Sequence, residues 1–147
     1  MKKVLLLNGP NLALLGTREP EIYGRTTLAD IVETVKAAAK DKGVEVDAFQ
    51  SDVEGELVAA IGRARGAYDA IIINPAAYTH TSVAILDALK AVNLPAAEVH
   101  LTDITKREPF RQISYAGMAC QAHFMGLGFA GYGKALEWMK EQTGKPD

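Results

Sequence analysis

Cysteine is almost missing from this chain: Cys120 is the only one in 147 residues, so no intrachain disulfide can form and a reducing compartment suits the protein. Cys120 itself reads as a small buried hydrophobe. Long hydrophobic runs are also missing. After Met1-Lys2-Lys3 only four apolar residues precede Asn8-Gly9-Pro10, too short for a signal-peptide core or a membrane span, so a soluble cytoplasmic protein is expected. Neither charge sign dominates: 16 basic and 18 acidic residues are scattered, giving a net charge of −2. That balance offers no electrostatic handle for nucleic acid or an anionic membrane and leaves a small molecule as the expected partner. Repeats, low-complexity tracts and linkers do not occur. His80, His100 and His123 lack the close spacing of a zinc site and no Cys/His cluster exists, so no metal is expected. Neither a GxSxG elbow nor a P-loop lysine motif is present, which removes the hydrolase and nucleotide-hydrolase readings that depend on them. Gly126-Leu-Gly128-Phe-Ala-Gly131 matches a dinucleotide fingerprint, but the acidic residue required about 20 positions later would fall past Asp147. No cofactor is expected.

What is present is 48% hydrophobic residues, enough for one real core, so residues 1–147 are expected to form a single domain. Val4 to Leu7 is an unbroken apolar run closed by Asn8-Gly9-Pro10, the pattern of a strand buried on both faces. Leu28, Ile31, Val32 and Val35 form a helical stripe that opens at Thr27 and stops before Gly43. Val44 to Phe49 reads as a second strand, Leu57, Val58 and Ile61 as a second helix, and Ala70 to Ile73 as a third strand stopped by Asn74-Pro75. Val83, Leu86, Leu89 and Lys90 mark a third helix, Ala97 to Leu101 a fourth strand, Ala122 to Met125 a fifth, and Leu136 and Met139 a last helix. Alternation with short connections predicts an α/β, flavodoxin-like three-layer fold, a parallel sheet with helices on both faces. The one long irregular stretch, Gly9 to Arg25, is too polar and glycine-punctuated to be core, and its part from about 16 to 25 is expected to act as a lid loop.

In open α/β sheets ligands lie beyond the carboxyl ends of the strands. The first strand ends at Asn8 and feeds Asn11, Arg18 and Tyr23; the third ends at Asn74 and feeds Tyr78 and His80; the fourth delivers Glu98 and His100. Glu98 and His100 are two apart on a strand, so they share a face, and the carboxylate can hold and polarise the imidazole. Each residue alone has a plain structural alternative: a hydrogen-bonded histidine, a turn asparagine before proline, a half-exposed glutamate, a surface loop tyrosine. Their convergence on one rim is what points to chemistry.

The run Asn8-Gly-Pro-Asn11-Leu-Ala-Leu-Leu-Gly16-Thr-Arg18-Glu-Pro-Glu-Ile-Tyr23-Gly24 resembles the N-terminal signature of the type II 3-dehydroquinate dehydratases. Gln50-Ser51-Asp52-Val-Glu54-Gly-Glu56, Asn74-Pro75-Ala-Ala-Tyr78-Thr79-His80-Thr81-Ser82, Glu98-Val99-His100-Leu101-Thr102 and Arg107-Glu108-Pro-Phe-Arg111 extend it in order from residue 4 to about 140. The resemblance implies cofactor-free conversion of 3-dehydroquinate to 3-dehydroshikimate by anti elimination of water. The setting would be shikimate-pathway (chorismate and aromatic amino-acid) biosynthesis or quinate catabolism. It further implies Tyr23 as base, His100 as acid, and Arg18 favouring the tyrosinate. Asn11 and Asn74 would hold ordered water or ring hydroxyls, His80 and Arg111 would bind hydroxyls, and Leu101 and Thr102 would hold the carboxylate. Asp87 would reach a neighbouring subunit's site in a homododecamer built as a tetramer of trimers. No imine-forming lysine is required.

The chain departs from the family pattern at Ala13, Asp52, Leu86, Asp103 and Thr105, while Thr102 keeps the hydroxyl of the usual serine. A free tyrosine, with a pKa of about 10, is a poor base at neutral pH, and a nearby guanidinium favours its phenolate. Arg18 and Tyr23 make chemical sense as a pair. The rival class is a non-catalytic flavodoxin-like binding or signalling module; a phosphoacceptor domain would carry an acidic pair where this chain has Asn8-Gly9-Pro10.

Overall fold

The computed structural model describes residues 2–17, 21 and 24–143. Five strands, β1 (Lys2–Asn8), β2 (Val44–Gln50), β3 (Ala70–Asn74), β4 (Ala96–His100) and β5 (Ala122–Met125), form one sheet in the order β2-β1-β3-β4-β5. Every pairing is parallel. The order reverses direction between β1 and β3, and this switch opens a crevice beyond their carboxyl ends, as in flavodoxin-like sheets.

Among the described residues three helices connect strands, α1 (Leu28–Asp41), α2 (Glu54–Ala64) and α3 (Val83–Val92), and α4 (Ala130–Thr143) follows β5. The apolar run of β1 divides by parity. Val4 and Leu6 join Ile31, Val35, Leu136 and Met139 under α1 and α4, whereas Leu5 and Leu7 join Leu57, Ile61, Ile85 and Leu89 under α2 and α3. A strand covered on both faces therefore has no polar alternation, which is why β1 and β3 read as continuous apolar runs. Each fully buried Leu or Ile contributes about 1.5–3 kcal/mol relative to exposure.

Helix α1 begins as its sequence predicts. The Thr27 side chain accepts from the Asp30 N–H and the Asp30 carboxylate accepts from the Thr27 N–H, both at 3.1 Å, a capping box. Its far end is released by Gly43 at φ +71°. The stripe expected on α3 is corrected: Ile85, Leu86, Leu89 and Val92 are buried, while Val83 and Lys90 are exposed. Ser82 caps the Ile85 N–H at 2.9 Å, and this start sets the helix phase so that positions i, i+4 and i+7 from Ile85 face the sheet. Strand β4 lies one residue earlier than expected, because the Gln121 side-chain oxygen accepts from the Ala96 N–H at 2.8 Å while the Leu101 carbonyl turns to the Gly128 N–H.

The stretch after β1 is not wholly outside the core. A short 3-10 turn at Leu12–Leu14 folds over the sheet end, and Leu12 and Leu15 are buried in the α1/α4 cluster. Between β4 and β5 the chain makes three further 3-10 turns, at Ile104–Lys106, Pro109–Arg111 and Ala116–Ala119, of which the first two supply Ile104 and Arg111 to the crevice wall. Among the described residues no helix is long and apolar enough to cross a membrane.

Candidate active site

A cavity of about 270 Å³ sits at the switch point, over the ends of β1, β3 and β4. Its floor rests on a buried polar pillar. In register, Asn8 of β1 lies beside Asn74 of β3. The Tyr132 hydroxyl from α4 donates to Asn8 Oδ1 at 2.7 Å and accepts from Asn74 Nδ2 at 3.1 Å, while Asn74 Oδ1 accepts from the Ala76 N–H at 3.1 Å. Gly9 is needed here: a Cβ would overlap the Pro75 carbonyl, so only glycine lets the β1 and β3 turns pack together.

Glu98 and His100 share a face of β4 and meet as their spacing predicts, His100 Nε2 donating to Glu98 Oε2 at 2.7 Å. Glu98 is 1% exposed and His100 5%. The half-exposed alternative for Glu98 is therefore wrong: it is one of the most buried large side chains. Burial pushes its carboxyl upward, but hydrogen bonds and charge from His100, with bonds from Ser114 and His123, outweigh this and hold it below the usual carboxylate value.

Ser114 donates to Glu98 Oε2 at 2.6 Å, and His123 Nδ1 lies 2.5 Å from Glu98 Oε1. A Cβ on Gly117 would overlap Oε1 and lie 2.7 Å from Ser114 Oγ, so glycine is required where this turn crosses the carboxylate. Sequence reasoning missed Ser114, Gly117 and His123. The only signal for His123 was the β4–β5 register, which sets it level with Glu98; Ser114 and Gly117 left none.

Asn11, Asn74, His80, His100, Leu101, Thr102 and Arg111 all line the cavity. Asn11 adopts a left-handed conformation at φ 66°, and its N–H donates to Asp52 Oδ1 at 2.9 Å, so the acidic residue at 52 fixes the turn that carries Asn11. His80 Nδ1 donates to the Ile113 carbonyl at 2.9 Å; desolvation holds its pKa below the ordinary value, with repulsion from His100, Arg111 and Arg107 in the same direction. Arg107 also lines the cavity, bonding the Thr102 hydroxyl at 3.1 Å; it had no role assigned from sequence. Glu108 brackets both guanidiniums, 3.5 Å from Arg107 and 3.1 Å from Arg111. Two cations and an imidazole suit an anionic ligand.

Tyr78 does not join the site: its hydroxyl donates to the Asp52 carbonyl at 2.6 Å. Asp87 is exposed on α3 and does not line this cavity. Arg18 and Tyr23 lie outside the described residues. The chain to either side of them closes on itself, since a Cβ on Gly16 would come within 2.9 Å of the Arg25 carbonyl.

A family profile described as Dehydroquinase class II matches residues 2–140. The chain belongs to this family. It is a hydro-lyase of the type II 3-dehydroquinase kind. A catabolic 3-dehydroquinase from Neosartorya fischeri is 54% identical over 138 residues, covering 94% of this chain and 92% of that one. A 3-dehydroquinate dehydratase from Corynebacterium efficiens is 52% identical over 135 residues, covering 92% of this chain and 89% of that one. Among solved structures, the type II dehydroquinase of Propionibacterium acnes superposes with a TM-score of 0.92 at 39% identity, covering 96% of this chain and 97% of that one. That of Butyrivibrio crossotus gives 0.91 at 40% identity, covering 94% and 97%.

Proposed function

We propose that this dehydroquinase removes water from 3-dehydroquinate to give 3-dehydroshikimate, without metal or dinucleotide, with Tyr23 as base and His100 as acid. The observation that carries the reading is the buried His100–Glu98 pair, with His100 lining the same cavity as Arg107 and Arg111. Tyr23 in its phenolate form, favoured by the Arg18 guanidinium, takes the proton next to the ketone. The enolate is stabilised through water held on Asn11 and Asn74. With Nε2 engaged by Glu98, Nδ1 is the ring nitrogen left for the acid role; His100 donates a proton to the departing hydroxyl, which leaves as water, and the conjugated enone acid forms. His80 and Arg111 hold ring hydroxyls, and Leu101 with Thr102 holds the carboxylate. Asp87 serves the site of an adjacent subunit in a dodecameric tetramer of trimers.

Residues 1–147 form one catalytic domain with a lid at about 16–25, a reading supported by the closed neck at Gly16 and Arg25. The enzyme works in the cytoplasm. The reaction is common to shikimate-pathway biosynthesis and quinate catabolism, and named relatives include catabolic enzymes. The test is enone absorbance from purified protein and 3-dehydroquinate. Product should form with no added cofactor and persist in EDTA, and borohydride with substrate should leave the enzyme active. Loss on chelation with recovery on adding a divalent metal, or a reduced adduct on lysine, overturns the mechanism.

A further inference from the structure

Glu98 is an end point for two imidazoles, not one. Strands β4 and β5 run parallel with Glu98 level with His123, so both side chains stand on the same face of adjacent strands. His100 takes one carboxylate oxygen at 2.7 Å, shared with Ser114, and His123 takes the other at 2.5 Å. The turn at Gly117 packs against this carboxylate so closely that a Cβ there would overlap Oε1. The two histidines differ in access: the His100 side chain is 6% exposed and that of His123 is 44%. His123 can therefore exchange its proton with solvent whether or not the cavity is filled.

The geometry points to His123 as a positioning residue for the proton donor: through the shared carboxylate, its own protonation sets how strongly Glu98 favours protonated His100. The inference rests on the reading of His100 as the acid. Its physical basis is charge balance. One buried carboxylate can neutralise one imidazolium; a second proton on the pair leaves a net positive charge in a poorly solvated place. Protonation of either ring must then disfavour protonation of the other, and the pair titrates in two steps belonging to neither residue alone. The other groups around the pair do not substitute for His123. Ser114 does not change charge. The Cys120 thiol is pushed up to about 12 by burial, with Glu98 adding to the shift, so it stays neutral. Arg107 and Arg111 are always charged. His80, a further titratable neighbour of His100 among the described residues, is held toward its neutral form.

The test is histidine titration by NMR on protein labelled at imidazole Cε1, where three histidines give three separable curves. Parent, His123→Asn and His100→Gln proteins are compared, the Asn amide standing where Nδ1 donates and the Gln amide where Nε2 donates, so each keeps a neutral donor to Glu98. If the rings share the carboxylate, the single pKa of His100 in the first variant plus that of His123 in the second exceeds the sum of the parent's two values by about one unit, a tenfold coupling. Sums that agree within about 0.3 unit, a coupling under twofold, overturn the proposal. His123→Val separates packing from charge: a merely structural His123 would lower the melting temperature in the Val and Asn variants alike and leave the sums equal, again overturning it. In the enzyme assay the kcat–pH profile of His123→Asn should move with the His100 titration at unchanged KM. Coupling by NMR with an unmoved profile would leave the shared carboxylate standing and overturn His100 as the acid.

Discussion

At the scale of single residues, the decisive group is the base. Tyr23→Phe keeps the ring but removes the only proposed acceptor, so turnover should collapse while affinity, resting on Asn74, His80, Thr102 and Arg111, stays near that of the parent. Steady-state kinetics decide it: activity within about tenfold of the parent, or about 1.4 kcal/mol of transition-state stabilisation, moves the base elsewhere on the rim. Arg18→Ala should also slow turnover and raise the tyrosine ionisation seen in the pH profile, because the cation favouring the phenolate is gone; Arg18→Lys keeps the charge and loses the planar fork. Glu98 carries a second prediction. Its folded pKa is depressed below the ordinary 4.5, so its ionisation contributes stability that is present above that value and is lost as pH falls through the folded pKa. Urea unfolding of the parent should therefore weaken as pH drops below about 4.5, and Glu98→Gln should flatten that part of the curve. A variant with the parent's slope there would show that the carboxylate gains nothing from its partners.

At the scale of elements, the turn at Ala116–Ala119 passes so close to Glu98 that it acts as a stop for the carboxylate. Gly117→Ala should force Glu98 or the turn to shift, at a cost of about 1–3 kcal/mol in denaturant unfolding, and should lower kcat by displacing His100 without touching substrate. Unchanged stability and unchanged kcat together would mean that the turn yields freely. This contact also marks what a sequence can and cannot disclose. Strand–helix alternation, the capped start of α1 and the Glu98–His100 face were legible because they depend on neighbours within a few positions. Contacts made across strands were not: His123 meets Glu98 only through the β4–β5 register, and Asn8, Asn74 and Tyr132 assemble from three distant segments. The α3 stripe was misphased because Val83 looks as apolar as Ile85, and the cap at Ser82 decides which of them faces inward. Arg18 and Tyr23 are singled out by the family signature alone, since nothing in the periodicity marks this tyrosine, and both lie outside the described residues.

At the scale of the whole molecule, the question is whether one chain suffices for one site. Asp87 is exposed on α3, and the cavity of its own chain is lined without it. In the proposed trimer each Asp87 completes the neighbouring cavity, and a cyclic arrangement repeats that contact around the ring. Two consequences separate this from a self-sufficient subunit. Dilution to monomers should cost activity along with size, and size analysis finding a fully active monomer at assay concentration would end the idea while leaving the chemistry intact. Complementation is the sharper measurement. Asp87→Asn and Tyr23→Phe proteins should each be nearly inactive, but co-folding them in equal amounts should restore activity, because some cavities then pair an intact Tyr23 with an intact Asp87 from next door. For random mixing, half of the cavities carry Tyr23 and half of those face an intact Asp87, so about a quarter of the parent rate should return. If the mixture has no more activity than the average of its two parts, Asp87 does not act across subunits.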